Sequence, residues 1–176
     1  KFGAKTVYDE VISVNFSENI KKTVTSSDEF YSKTVIIATG AYPKKLGVEG
    51  EDKLVGKGVH YCAHCDGRFY KDKTVAVIGG GNTAAADTTI LSRIAKKVYV
   101  IHRRDTLRAT KVYHKQLEAM ENVEFIWDSA VQELITGDKL EGLKVKNLKT
   151  DEVIDLPVDG VFVSIGRKPN TELVAG

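Results

Sequence analysis

The stretch 73–101 constrains the fold more than any other part of the chain. Thr74-Val-Ala-Val-Ile78 is a short apolar run, three glycines follow, and residues 82–96 then place Ala85, Ile90, Leu91 and Ile94 at roughly helical spacing. Strand, tight turn and helix open a βαβ unit. Residues 97–101 read as the second strand. Residues 106–120 read as the second helix, with Leu107, Tyr113, Leu117 and Met120 on one side, and 123–127 as the third strand. The predicted centre of the fold is βαβαβ, an α/β class with a parallel sheet.

The flanks have a different texture. Residues 7–16, 22–26 and 32–39 alternate or run with β-branched residues between polar turns and predict three antiparallel strands without a helix. Pro43, Gly47, Gly50, Gly56 and Gly58 then make a breaker-rich connector, read as a boundary with room for a hinge. Beyond Trp127, residues 130–135, 140–148 and 152–156 are short and alternating, which predicts a β-meander covering the open sheet; 159–165 returns as an apolar strand into Gly166.

Gly79-Gly80-Gly81-Asn82-Thr83-Ala84 fits G-x-G-x-x-A, directly after a strand and at the start of a helix. Three glycines also make an ordinary turn, so the context carries the reading. Gly79 allows the sharp turn, Gly81 lets a pyrophosphate approach the backbone, Ala84 lets the helix sit close to the strand, and the helix N-terminus offers free N–H groups and a positive dipole end. The whole unit is thus Rossmann-like. The second strand ends in His102-Arg103-Arg104, where an NAD site places an acid for the ribose, and Arg108 is placed one helical turn later. Arginines there favour a 2′-phosphate, hence NADPH. The plainer alternative is a solvated basic helix start, which the helix dipole would oppose.

Cys62-Ala63-His64-Cys65-Asp66 holds the only two cysteines. Two-residue spacing lets a disulfide ring close and reopen with little backbone movement, which suits thiol exchange. Two rival readings stand beside it: a metal site using His60, Cys62, His64 and Cys65, disfavoured because four donors within six residues hardly converge on one tetrahedral centre, and a pair of buried core cysteines. Asp66 reads as a proton donor or acceptor for a thiolate or flavin, or as a cap. His64 either favours the thiolate or is a neutral surface residue.

Charge and hydropathy narrow the partners. With 26 basic against 24 acidic residues the chain is nearly neutral, and its basic pairs are scattered, which argues against nucleic acid; no apolar run approaches bilayer length. Two close cysteines point to a reducing compartment, the cytoplasm, and the absence of an initiator Met to an excised piece.

Four motifs in one order, ATGAYPKKLGVEGEDKLVGKGVHYCAHCDGRFYKDKTVAVIGGGNTA with its Cys-x-x-Cys-Asp and glycine loop, then IHRRDTLRA, then VFVSIGRKPNT, resemble bacterial-type, low-molecular-weight thioredoxin reductase along the whole chain. The resemblance implies a homodimeric flavoprotein in which NADPH reduces FAD, FAD reduces a Cys62–Cys65 disulfide and the dithiol reduces thioredoxin. It implies Cys62, Cys65 and Asp66 as catalytic residues. Gly79, Gly80, Gly81, Asn82, Thr83, Ala84, His102, Arg103, Arg104, Arg108, Ile165 and Gly166 become NADP contacts, and Thr39 and Gly40 FAD contacts. Residues 43–163 are expected to form the NADPH domain, with 1–42 and 164–176 as pieces of an FAD domain whose own glycine-rich and Gly-Asp motifs are not in the sequence. Ala86-Asp87 stands where relatives carry two carboxylates, and His64 where they carry a small residue. Two further readings stay open: reduction of another thiol protein, such as a peroxiredoxin-type partner, and an NADP(H)-binding module without turnover.

Overall fold

A computed structural model describes residues 3–174, and the chain falls into two compact units, residues 1–42 with 168–176 and residues 43–167. In the first unit β1 (Val11–Asn15), β2 (Lys21–Thr25) and β3 (Glu29–Ser32) form an antiparallel sheet in the order β1-β2-β3. The predicted third strand over 32–39 is corrected: the ladder ends at Lys21↔Ser32, so the residues beyond have no strand of this sheet opposite them. Val35, Ile36 and Ile37 are exposed, since β propensity is expressed only where a neighbour supplies hydrogen bonds and a packing face.

The chain then passes through β4 (Ala41–Pro43), α1 (Glu51–Leu54), β5 (Val59–His60), α2 (Ala63–Asp66) and a 3₁₀ turn (Gly67–Tyr70), none of which the apolar periodicity predicts. The glycine-rich stretch is ordered rather than a bare connector. The buried Glu51 carboxylate accepts from the backbone N–H groups of Leu46 and Gly47 and from the Tyr61 hydroxyl, at 2.6–2.9 Å. Burial and that contact raise the Tyr61 phenol above its usual range.

The α/β centre follows as predicted: β6 (Thr74–Ile78), α3 (Asn82–Leu91), β7 (Lys97–Ile101), α4 (Lys111–Glu118) and β8 (Val123–Ile126). The meander is β9 (Ser129–Thr136), β10 (Leu140–Asn147) and β11 (Val153–Pro157). β12 (Gly160–Val163) then returns to the parallel sheet, whose order is β5-β12-β6-β7-β8, and β13 (Arg167–Pro169) pairs with β4. Both faces of this sheet are covered, which is why β6 and β12 read as continuous apolar runs. The meander side chains Leu134, Leu140, Leu143 and Val145 pack on Val59, Ile78, Ile101 and Val161. On the other face Ala63, Ala84 and Leu91 meet Val75, Val77 and Phe162, while Leu107 and Leu117 pack with Val100.

Both predicted helices are shorter than expected. α3 stops at Leu91 because Arg93 and Ile94 donate three residues back, to Ile90 and Leu91, and Lys96 is drawn onto Lys73 to feed β7. α4 begins at Lys111, not 106, because the backbone N–H groups of Arg108, Ala109 and Thr110 are taken by the glycine loop.

Candidate functional site

Parallel order brings the C-terminal ends of β12, β6 and β7 side by side, with Ile78↔Ile101 and Val163↔Ile78 in register. A crevice at that edge is the general ligand position of such sheets. Here it is a cleft of about 730 Å³, lined by Gly79–Thr83 from the glycine loop, by His102, Arg103 and Arg108, and by Ser164, Ile165 and Gly166 after β12. Lys44, Leu46 and Ser129–Val131 complete the wall; the sequence reading missed them because they come from distant segments that only the fold brings to this edge.

Gly79 has φ 142°, and a side chain there would run into the Ser164 carbonyl and Ala84. Only glycine suits that turn. At Gly81 a side chain would meet open space, so its bareness keeps the floor of the cleft clear. α3 starts with no side-chain cap and no acid in its first turn, leaving its N–H groups and positive dipole end toward the cleft. Ala84 is wholly buried and works as a spacer between helix and sheet, not as a cleft contact.

The arginines sit in a loop ahead of α4, which corrects the expected helical placement of Arg108. Arg108 and Ala109 donate from the backbone to the Gly80 carbonyl at 2.6 and 3.0 Å, and Thr110 donates to Asn82 Oδ1 at 2.8 Å. These three bonds latch the basic loop to the glycine loop. Arg103 and Arg108 consequently line the cleft, whereas Arg104 does not. His102 lies under Gly80, edge-on to Trp127, with its buried Nε2 lacking a hydrogen-bond partner; burial first, then Arg104, Arg103 and Arg108, depress its pKa. Open backbone donors, three cleft cations (Lys44, Arg103 and Arg108) and an unsatisfied ring nitrogen fit a phosphorylated dinucleotide.

Ahead of β6, Cys62 and Cys65 are joined in a disulfide with Cα atoms 5.3 Å apart. Cys62 caps α2, its Sγ accepting the Cys65 N–H at 3.2 Å. Ala63 is buried against α3, while His64 and Cys65 face solvent and Asp66 is half-buried. Gly67 comes so close to Leu91 that a methyl group would sit 3.2 Å from it. Buried Asp87 on α3 accepts from the Ser164 hydroxyl, and burial raises its pKa against the lowering effects of that bond and of His64. Thr39 and Gly40 lie in the first unit, where the Thr39 hydroxyl and the Gly40 carbonyl are engaged by the Asn170 backbone.

The family model of the pyridine nucleotide-disulphide oxidoreductases matches residues 2–176. The chain belongs to that family. Among similar proteins, this oxidoreductase chain is 49% identical over 177 residues to a thioredoxin reductase of Streptomyces coelicolor, covering 100% of the chain and 55% of that protein. It is 40% identical over 173 residues to a thioredoxin reductase of Listeria monocytogenes, covering 98% of the chain and 54% of that protein. The crystal structure of Lactococcus lactis thioredoxin reductase superposes with a TM-score of 0.87 at 38% identity, over 96% of this chain and 56% of that one. The chain thus spans little more than half the length of the curated relatives it matches.

Proposed function

We propose that this chain is the part of an NADPH-dependent thioredoxin reductase that binds the nucleotide and carries the exchanging disulfide. The observation that carries the reading is that one compact unit holds both a latched, cationic dinucleotide cleft and a Cys62–Cys65 disulfide whose Cys65 is exposed. In this reading residues 43–163 are the NADPH domain. The glycine loop and the α3 N-terminus hold the diphosphate, with Ile165 and Gly166 on the opposite wall. Arg103 and Arg108, with His102 behind them and Arg104 adding charge, hold the 2′-phosphate. Cys62 and Cys65 exchange with thioredoxin or a similar thiol protein, and Asp66 is their acid–base partner.

FAD enters only with the whole protein, read as a cytoplasmic homodimeric flavoprotein. Thr39 and Gly40 are tied to Asn170, and the described residues of the first unit contain no strand–glycine–helix turn, so they make no flavin cradle. Among the described residues no helix is long and apolar enough to cross a membrane.

Nucleotide titration tests the cleft. Replacing Arg103 and Arg104 together by Ala should weaken NADPH by about tenfold or more, the worth of a charge-assisted contact, and leave NADH nearly unchanged. An equal change for both nucleotides refutes the assignment. In the whole protein, absorbance followed by addition of oxidised thioredoxin separates the activities: bound flavin with NADPH-dependent thiol release supports the reductase, and a colourless nucleotide-binding protein supports a binding module.

A further inference from the structure

His60 is a histidine that the reading of the redox site leaves unused, and its surroundings are unusually well defined. It is only 5% exposed, on β5 at the edge of the parallel sheet. Its ring stacks on Phe162 with centroids 5.2 Å apart and meets Tyr70 edge-on at 5.2 Å. Nε2 is 2.6 Å from the Tyr70 hydroxyl. Nδ1 lies 3.0 Å from Asp66 Oδ2, within ion-pair distance, yet it is buried and not aligned for a hydrogen bond. The Asp66 carboxyl turns about χ2, a soft torsion, so its orientation toward the ring is free to adjust.

We propose that His60 is a positioning residue for Asp66, fixed from behind by Tyr70 and Phe162 so that Nδ1–H holds one carboxylate oxygen while the other faces the Cys62–Cys65 disulfide. This rests on the reading of Asp66 as the acid–base partner of that disulfide. An acid–base group acts only from a fixed orientation, and a buried imidazole with its far nitrogen already bonded is a rigid donor. Tyr70 is itself anchored: a side chain at Gly160 would fall on its ring, and its ring meets Phe162 edge-on at 5.5 Å. Burial, then the charges of Asp66 and Asp159, push the Tyr70 phenol up to about 12, so its hydroxyl keeps its proton. The charges acting on the pair come from Asp66 on α2, Asp159 ahead of β12 and the Lys73 ammonium, 5.4 Å above the Tyr70 ring.

The test uses the whole chain and dithiothreitol as the probe, so that neither flavin nor thioredoxin enters. Rates of Cys62–Cys65 reduction are measured from pH 5 to 9 alongside nitrogen NMR of the His60 ring. The wild-type ring is expected in its Nδ1–H form. His60→Leu should slow exchange by about tenfold and give the pH profile of Asp66→Asn. The double variant should be no slower than either single one, as for residues acting as a unit. His60→Asn, whose side-chain amide can donate near the Nδ1 position, should recover most of the rate. Should His60→Leu fail to fold, Tyr70→Phe keeps the ring and removes its hydroxyl, and an intermediate slowing is expected. A bare Nδ1, multiplying effects of the two single variants, or no recovery in His60→Asn overturns the proposal. Wild-type exchange in Asp66→Asn sinks the Asp66 reading and the proposal with it; slow Asp66→Asn beside unaffected His60→Leu sinks the His60 proposal alone.

Discussion

Asp87 and Gly79 show how single residues are committed to the site. Asp87 is a carboxyl on α3 that burial drives toward its neutral form, with Ser164 donating to it. A carboxyl whose folded pKa lies above its unfolded one costs the fold stability at neutral pH, and that cost disappears as pH falls through the folded value. Asp87→Asn keeps an acceptor for Ser164, so thermal unfolding should show the variant more stable than wild type at pH 7, with the gap closing toward pH 4. A gap independent of pH would mean that Asp87 stays ionised without penalty. Gly79→Ala should cost about 1–3 kcal/mol from the left-handed backbone alone. A further loss comes from collision with the Ser164 carbonyl, and denaturant titration and NADPH titration should both report it.

Among the elements, the decisive object is the latch between two loops. Residues 79–81 and the 103–110 loop have no regular structure, yet three hydrogen bonds, two to Gly80 and one to Asn82 at the start of α3, hold them together and set where Arg103 and Arg108 point. Asn82→Ala removes the Oδ1 acceptor and leaves the Thr110 N–H without it. The lost bond is worth roughly 1 kcal/mol, so a several-fold weaker NADPH affinity is expected, with little change in the melting temperature. Calorimetric titration checks it, and a variant binding NADPH as tightly as wild type would show that the latch does not position the arginines.

At the scale of the whole molecule the two units are unequally consolidated. Among the described residues 3–42 and 168–174 only Thr25 is buried, whereas every residue of the three apolar clusters lies within 43–167. Opening free energy follows buried apolar contact. Amides of β6, β7 and β12 should therefore exchange only with global unfolding, and those of β1–β3 orders of magnitude sooner by opening of the first unit alone. Native-state hydrogen exchange with denaturant decides this, equal protection in both units being the contrary result.

The amino-acid order by itself determined the βαβαβ centre, the meander, the glycine loop and the cysteine pair, because each is written locally: a period of apolar residues, a run of glycines, a two-residue spacing. It misjudged what depends on partners. Residues 35–37 have strand composition but no strand of their sheet opposite them, and the helical spacing from 106 gives way where backbone N–H groups bond Gly80 and Asn82 instead. Lys44 and Ser129–Val131 in the cleft and Ser164 under Asp87 involve residues from separate segments. Only the tertiary structure decided those meetings, since a hydrogen bond or an ion pair exists at about 3 Å and nothing in the local pattern fixes which distant residue arrives there.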